Sequence, residues 1–263
     1  MTMLRPRAAF VVLVSCLAAG SAVAQPPSID TMSSLQIAVA CAPPPQLYAP
    51  PTDAAEVAGA QDTVPRTLFD VGDMLVLKGG TNRHLEVGQQ YFLRRGAGFP
   101  AAIQPGPRGV QTAGWIRIVA VNESTAIAAV EHACGPILQH DYLMPFAVPE
   151  VPDLPAEDDT SGTPDFGNAA HLIFSDEDRP VAAIGEFMLI DHGTKQGAMP
   201  GSRMEIYRDV NAASYSPLDM GKQLPLAAVA SAVVVSAGPD TALIRIGNAR
   251  DAVRSGDVAV PRK

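Results

Sequence analysis

The sequence predicts an all-β fold of two repeated small β-barrel or sandwich modules joined by a Pro-rich linker. Three observations predict it. The 263 residues include 24 prolines and 22 glycines, a density of turn formers that rules out a helical bundle. Apolar residues make up 47% of the chain, enough to build a core and too many for global disorder. Two stretches of short apolar runs punctuated by glycine repeat one another along the chain. The implied organisation is a signal peptide over 1–24, a Pro/Ala-rich N-terminal segment over 25–65, a first β module over 66–147, a linker over 148–180 and a second β module over 181–263.

The first segment reads as an address. Met1–Arg7 is short and basic, Ala8–Ala19 is apolar but for Ser15 and Cys16, and Ser21-Ala22-Val23-Ala24 supplies the small residues of a cleavage site. The apolar run is short for a bilayer span, and no later run is long enough for one, so no membrane span is expected. A membrane anchor is one alternative reading. Another is lipidation at Cys16, because Leu13-Val14-Ser15-Cys16 resembles a bacterial lipobox. Cleavage after Ala24 would remove two arginines and no acid, taking the net charge from −8 to −10. An acidic surface of this kind keeps an exported protein soluble and gives no footing for nucleic acid.

Cys41 and Cys134 then remain as an even pair, and in an oxidising compartment they are expected to form a disulfide. Two buried thiols are the competing reading. The bridge would close a loop of about ninety residues, for which the chain-entropy model gives about 4–5 kcal/mol. It would clip the N-terminal segment to the first module. That segment carries Ala42-Pro43-Pro44-Pro45 and Ala49-Pro50-Pro51, which favour extended polyproline. Before them, Leu35, Ile37 and Val39 alternate, a weak strand signal within Ser28–Ala40. A second Pro-rich break, Val148–Asn168, surrounds Glu157-Asp158-Asp159 and reads as an exposed linker; a calcium site there is the less favoured reading.

The repeat can be read residue by residue. Met74-Leu75-Val76-Leu77, Gly80-Thr81, Gly88 and Arg95 recur 113 residues later as Phe187-Met188-Leu189-Ile190, Gly193-Thr194, Gly201 and Arg208. Thr125-Ala126-Ile127, Asp141 and Pro145 recur 116 residues later as Thr241-Ala242-Leu243, Asp257 and Pro261. The net three-residue insertion lies between the two halves of the repeat, where the chain crosses a variable loop, Gly96–Ala113 or Asp209–Pro225. Each unit then contains a buried strand, a glycine turn, a second strand, the variable loop, a hairpin and a last short strand before proline. The hairpins are Trp115–Val121 with Ala126–Val130, and Val229–Val235 with Ala242–Ile246. About five strands in so short a unit suggest a small barrel or sandwich.

These residues resemble the β-rich modules at the C-termini of bacterial cell-envelope proteins that carry a lysin-motif peptidoglycan-binding domain. They resemble more faintly the C-terminal module of the flagellar assembly protein T family. The shared theme is an apolar strand, G-[ST], two further glycines, a strand ending in Arg, a hairpin, and G-D-x-φ-x-P. Gly193-Thr194, Gly197, Gly201, Met204, Ile206, Arg208 and Gly256-Asp257-Val258-Ala259-Val260-Pro261 carry it. The first copy departs at His84, where the second has Gly197, and at His140, where glycine precedes the aspartate. The lysin motif itself is not visible in the sequence. The resemblance implies a β module in an envelope context and no catalytic residue.

The sequence contains no H-E-x-x-H, G-x-S-x-G, P-loop or dinucleotide fingerprint. His132, His140 and Asp141 lie close along the chain, and a metal-dependent hydrolase built on them is the alternative to a non-enzymatic protein. Asp176-Glu177-Asp178-Arg179 reads as a charged turn rather than a carboxylate pair. Trp115 reads as core or hairpin packing rather than a sugar-stacking platform, and Tyr91 and Phe92 fall on opposite faces of one strand. Arg94, Arg95 and Arg108 make Arg94–Gly114, read here as a loop, locally basic in an acidic protein, a candidate binding loop for an acidic glycan or partner. Asn122-Glu123-Ser124 fits a glycosylation sequon that matters only in a eukaryotic secretory pathway. The expectation is an exported, non-enzymatic scaffold or binding protein of the periplasm or cell envelope. It would need no cofactor or metal, and its partners would be envelope proteins or peptidoglycan. A lipoprotein assembly factor of a surface machine, anchored through Cys16, is the remaining alternative.

Overall fold

The computed structural model describes residues 32–45, 51–62, 64–96, 109–154, 161–175, 179–209 and 226–263. They form two closed six-stranded barrels and one α-helix. The first barrel contains β1 (Glu56–Ala60), β3 (Met74–Lys78), β4 (Gln90–Gly96), β5 (Val110–Val121), β6 (Thr125–Ala133) and β8 (Tyr142–Pro145). Its strand order is β1-β3-β6-β5-β4-β8, closed where Glu56 pairs with Tyr142. Two short strands, β2 (Leu68–Phe69) and β7 (Ile137–Leu138), make a separate ladder.

The second barrel repeats this plan. It contains β9 (Ala170–Ser175), β11 (Phe187–Ile190), β12 (Arg203–Asp209), β13 (Leu226–Ala237), β14 (Ala242–Ala249) and β16 (Val258–Pro261). β10 (Val181–Ala182) pairs with β15 (Val253–Arg254) as β2 pairs with β7. The cyclic order is the same, and so is the register. Phe92 faces Trp115 as Glu205 faces Ser231, and Tyr91 faces Pro145 as Met204 faces Pro261. Even the bulges recur, between Leu93 and Arg94 in β4 and between Ile206 and Tyr207 in β12. Such a bulge bends its strand, and a short strand must bend to close a narrow barrel.

Alternation along the strands fills each interior. In the first barrel Leu75 and Leu77, Ala126, Ala128 and Val130, and Ile116 and Ile118 point inward with Leu93 and Leu143. In the second Met188 and Ile190, Ala242, Ile244 and Ile246, and Val234 and Ile206 do the same. The alanines facing larger side chains let six strands close around little volume.

The structure corrects the sequence reading at α1 and at the barrel boundaries. Residues Ser34–Cys41 form a helix, α1, and not the weak strand read from Leu35, Ile37 and Val39. The Ser33 hydroxyl accepts from the Gln36 N–H (3.2 Å), and the Gln36 side chain accepts from the Ser33 N–H (2.8 Å). That capping box satisfies two otherwise orphaned donors and starts the helix, and the prolines after Ala42 prevent its continuation. Leu35 and Val39 then share one face, four residues apart. The barrels also take in more chain than 66–147 and 181–263. β1 lies in the segment read as Pro/Ala-rich, and β9 lies in the segment read as linker. Glu-Val-Ala-Gly-Ala has too little branched or aromatic character to announce a strand, and β9 is hidden beyond a Pro-rich run.

Helix α1 joins the two barrels. Leu35, Val39 and Ala42 pack with Phe174, Leu189, Val235 and Leu243 on the second barrel, and with Val151 and Leu154 of the connecting segment. The Gln36 side chain donates to the Pro149 carbonyl (3.2 Å). At its other end the Thr112 hydroxyl of β5 donates to the Ala42 carbonyl (3.2 Å), and Cys41 is bonded to Cys134 across 93 residues of chain. The expected disulfide is thus present, with Cα atoms 5.4 Å apart. No described helix is long and apolar enough to cross a membrane.

Candidate functional site

The charged residues of the repeat motif are structural. Arg95 donates through Nε and Nη2 to both carboxylate oxygens of Asp141 (2.7 and 2.6 Å), and through Nη2 to the Pro136 carbonyl (2.8 Å). Arg208 repeats all three contacts with Asp257 (2.8 and 2.8 Å) and the Ala252 carbonyl (2.6 Å). Each aspartate also accepts a backbone N–H three residues upstream, from Leu138 or Arg254 (2.8 Å each). The carboxylates are almost completely buried, so the bidentate geometry is what makes their desolvation tolerable. In both barrels the pair locks the turn after β7 or β15 onto the strand carrying the arginine.

The proposed basic loop is therefore rearranged. Arg94 and Arg95 lie in β4, not in a loop. Arg95 is held by Asp141, while Arg94 bonds the Thr112 hydroxyl and lays its guanidinium over the Phe92 ring, 4.3 Å from the centroid. Arg108 lies outside the described residues, as do Cys16, Glu157-Asp158-Asp159 and Asp176-Glu177-Asp178.

The histidines named with Asp141 serve different surroundings. His140 is exposed, with its ring 3.4 Å from the Glu56 carboxylate. His132 stacks on Trp115 with centroids 4.2 Å apart, and burial pushes its pKa down. Trp115 is completely buried but packs outside the barrel interior, against Phe92, Phe146 and His132. Its indole N–H has no hydrogen-bond partner among the described residues. In the second barrel the equivalent positions are Glu205, Ser231 and Asn248, where the Ser231 hydroxyl accepts the Asn248 N–H (3.1 Å). One copy has an aromatic outer face beside α1, and the other has a polar one. On that polar face, burial and a hydrogen bond to Glu205 push the Tyr207 pKa up to about 12.

A further matching element was missed in the sequence. Arg66, Leu68, Val71, Gly72 and Asp73 recur 113 residues later as Arg179, Val181, Ile184, Gly185 and Glu186. The pattern R-x-φ-x-x-φ-G-[DE] was legible at the known offset. It forms the same turn in both barrels. Arg66 Nη2 meets Asp73 Oδ1 (2.9 Å), and Arg179 Nη1 meets Glu186 Oε1 (3.4 Å). Asp73 accepts the Asp70 N–H (2.9 Å), and Glu186 accepts the Ala183 N–H (2.7 Å). The Arg66 guanidinium holds the Asp73 carboxyl below the usual carboxylate range, with help from that N–H. Gly72 and Gly185 take φ of 88° and 85°, a conformation that strains any residue with a Cβ. The turn leaves an apolar pair exposed in each barrel: Leu68 and Val71 at 57% and 58%, Val181 and Ile184 at 41% and 56%. In the first barrel, Arg66, Leu68, Phe69 and Asp70 also line a cavity of about 460 Å³ with Ala133, Cys134, Gly135 and Pro136.

No family model matches this chain, and no curated protein matches it. What defines the class at this point is architecture: an all-β protein of two tandem six-stranded barrels tied through a disulfide-anchored helix.

Proposed function

We propose that this protein is an exported, non-enzymatic scaffold or binding protein of the bacterial cell envelope, and that its two barrels present the same contact element twice. The observation that carries this reading is the pair of matched apolar turns, Leu68 with Val71 and Val181 with Ile184. Exposed apolar side chains are individually ordinary, but the same pair held by the same ion-paired glycine turn in both copies is a patterned surface. The leader-like start and the disulfide support an oxidising, exported setting. Apolar contacts of this kind favour a protein partner, and the peptidoglycan suggested by the resemblance is the other class to be tested.

The mature chain, with a variant carrying Val71→Asp and Ile184→Asp, is crosslinked in native envelopes, and separately sedimented with purified sacculi. The expected result is one stoichiometric protein partner that is lost from the variant while its fold is kept. Sedimentation with sacculi, unaffected by the two changes, would move the assignment to glycan. Retention of the chain in the cytoplasm, or no capture of either kind, overturns the proposal.

A further inference from the structure

We propose that Cys41, Cys134 and His132 form a redox-gated site for a thiophilic divalent cation of the zinc class, closed while the disulfide stands and opened when a reductant cleaves it. Among the described residues these three make the one group of His, Cys or acidic side chains whose ligand atoms all lie within 4.8 Å of one another. They come from two places in the fold: Cys41 ends α1, while His132 and Cys134 flank the last residue of β6. The Trp115 ring stacks on His132 and fixes the plane of its imidazole. Two thiolates and an imidazole are a donor set that selects zinc over magnesium or calcium.

The chemistry balances with an external dithiol. The dithiol gives two electrons and two protons to the Cys41–Cys134 bond, becoming a cyclic disulfide and leaving two thiols. The cation then displaces both thiol protons to solvent and takes the two sulfurs and one imidazole nitrogen, leaving a fourth position for water. Tetrahedral zinc holds thiolate sulfurs about 3.8 Å apart. Cα atoms 5.4 Å apart allow that by side-chain rotation alone. The cavity beside the first barrel's apolar turn is lined by Ala133, Cys134 and Gly135, so one of the two cysteines lies at the wall of an open space. The consequence is mechanical. Either a disulfide or a sulfur–metal–sulfur bridge ties α1 to the first barrel, so the helix that also grips the second barrel stays anchored in both oxidation states.

The test uses the mature chain, oxidised or reduced anaerobically with a phosphine, and zinc alone as the probe, with cobalt(II) as its spectroscopic substitute. One zinc per chain is expected in the reduced form and none in the oxidised form, with sulfur-to-cobalt charge-transfer absorption only after reduction. His132→Ala, which still forms the disulfide when oxidised, should bind zinc at least about tenfold more weakly when reduced. Adding zinc before the reductant covers the case in which the reduced chain loosens, since the bound chain should keep the buried Trp115 emission. Equal zinc content in both oxidation states, or undiminished affinity in His132→Ala, overturns the proposal.

Discussion

At the scale of single residues, the two departures of the first repeat from its glycine pattern are the most telling. His84 and His140 take φ of 58° and 69°, and their equivalents Gly197 and Gly256 take 84° and 88°. The backbone geometry is kept although the residue that makes it comfortable has changed. A side chain in the left-handed region costs roughly 1 kcal/mol, partly offset by the freedom glycine adds to the unfolded chain. His84→Gly should therefore stabilise the protein by about 0.5–1 kcal/mol in urea unfolding, while His84→Val should destabilise it. Arg95→Ala and Arg208→Ala should each cost about 3 kcal/mol, because each leaves a buried aspartate without its partner; equal losses at the two sites would confirm equivalent roles. A pH effect belongs to Asp191. Burial alone would raise its carboxyl, but the His171 N–H and the His171 and His192 rings (3.1 and 3.0 Å) outweigh that and lower it. A folded-state pKa below the unfolded one means that the unfolded chain binds more protons. The stabilisation is thus complete above about pH 4 and lost as pH falls through the folded value. The Tm difference between wild type and Asp191→Asn should shrink on acidification through that range.

At the scale of elements, one contact explains the first glycine of each repeat. A Cβ on Gly80 would lie 2.0 Å from the Asn122 carbonyl oxygen, and one on Gly193 would lie 2.4 Å from that of Gly238. The turn after β3 or β11 is pressed against the tip of the long hairpin, where Thr81 N–H donates to Asn122 O and Thr194 N–H to Gly238 O (2.9 Å each). Gly80→Ala should push this tip away at a cost of about 1–3 kcal/mol, and hydrogen exchange at Thr81 and Asn82 should speed up. The five strands per unit expected from apolar runs all occur, because hairpin alternation and turn glycines are local signals. β1, β2 and β9 escaped for different reasons: Glu-Val-Ala-Gly-Ala of β1 has little branched or aromatic character, β2 is two residues long and pairs only with a partner seventy residues on, and β9 follows a Pro-rich run. α1 was misread for a related reason: in eight residues, alternation and helical spacing overlap, and the Ser33–Gln36 capping box decides between them.

At the scale of the molecule, α1 couples the barrels, since its apolar face rests on one and its end is bonded to the other. Val39→Asp should weaken the grip on the second barrel without touching the disulfide, and small-angle scattering should then report a larger radius of gyration while both barrels keep their strand content. Losing the bridge through Cys134→Ser should cost about 2–5 kcal/mol. By itself, the sequence determined the all-β class, the duplication and the pairing of the two cysteines, because turn glycines, strand alternation and cysteine parity are written within short windows or at a constant offset. Only the tertiary structure decided that Arg95 and Arg208 serve buried aspartates, that a helix fastens the barrels together, and that His132 lies beside the two sulfurs. Those facts depend on which faces of distant strands meet when a barrel closes, and a strand's own residues do not specify what lies across from it.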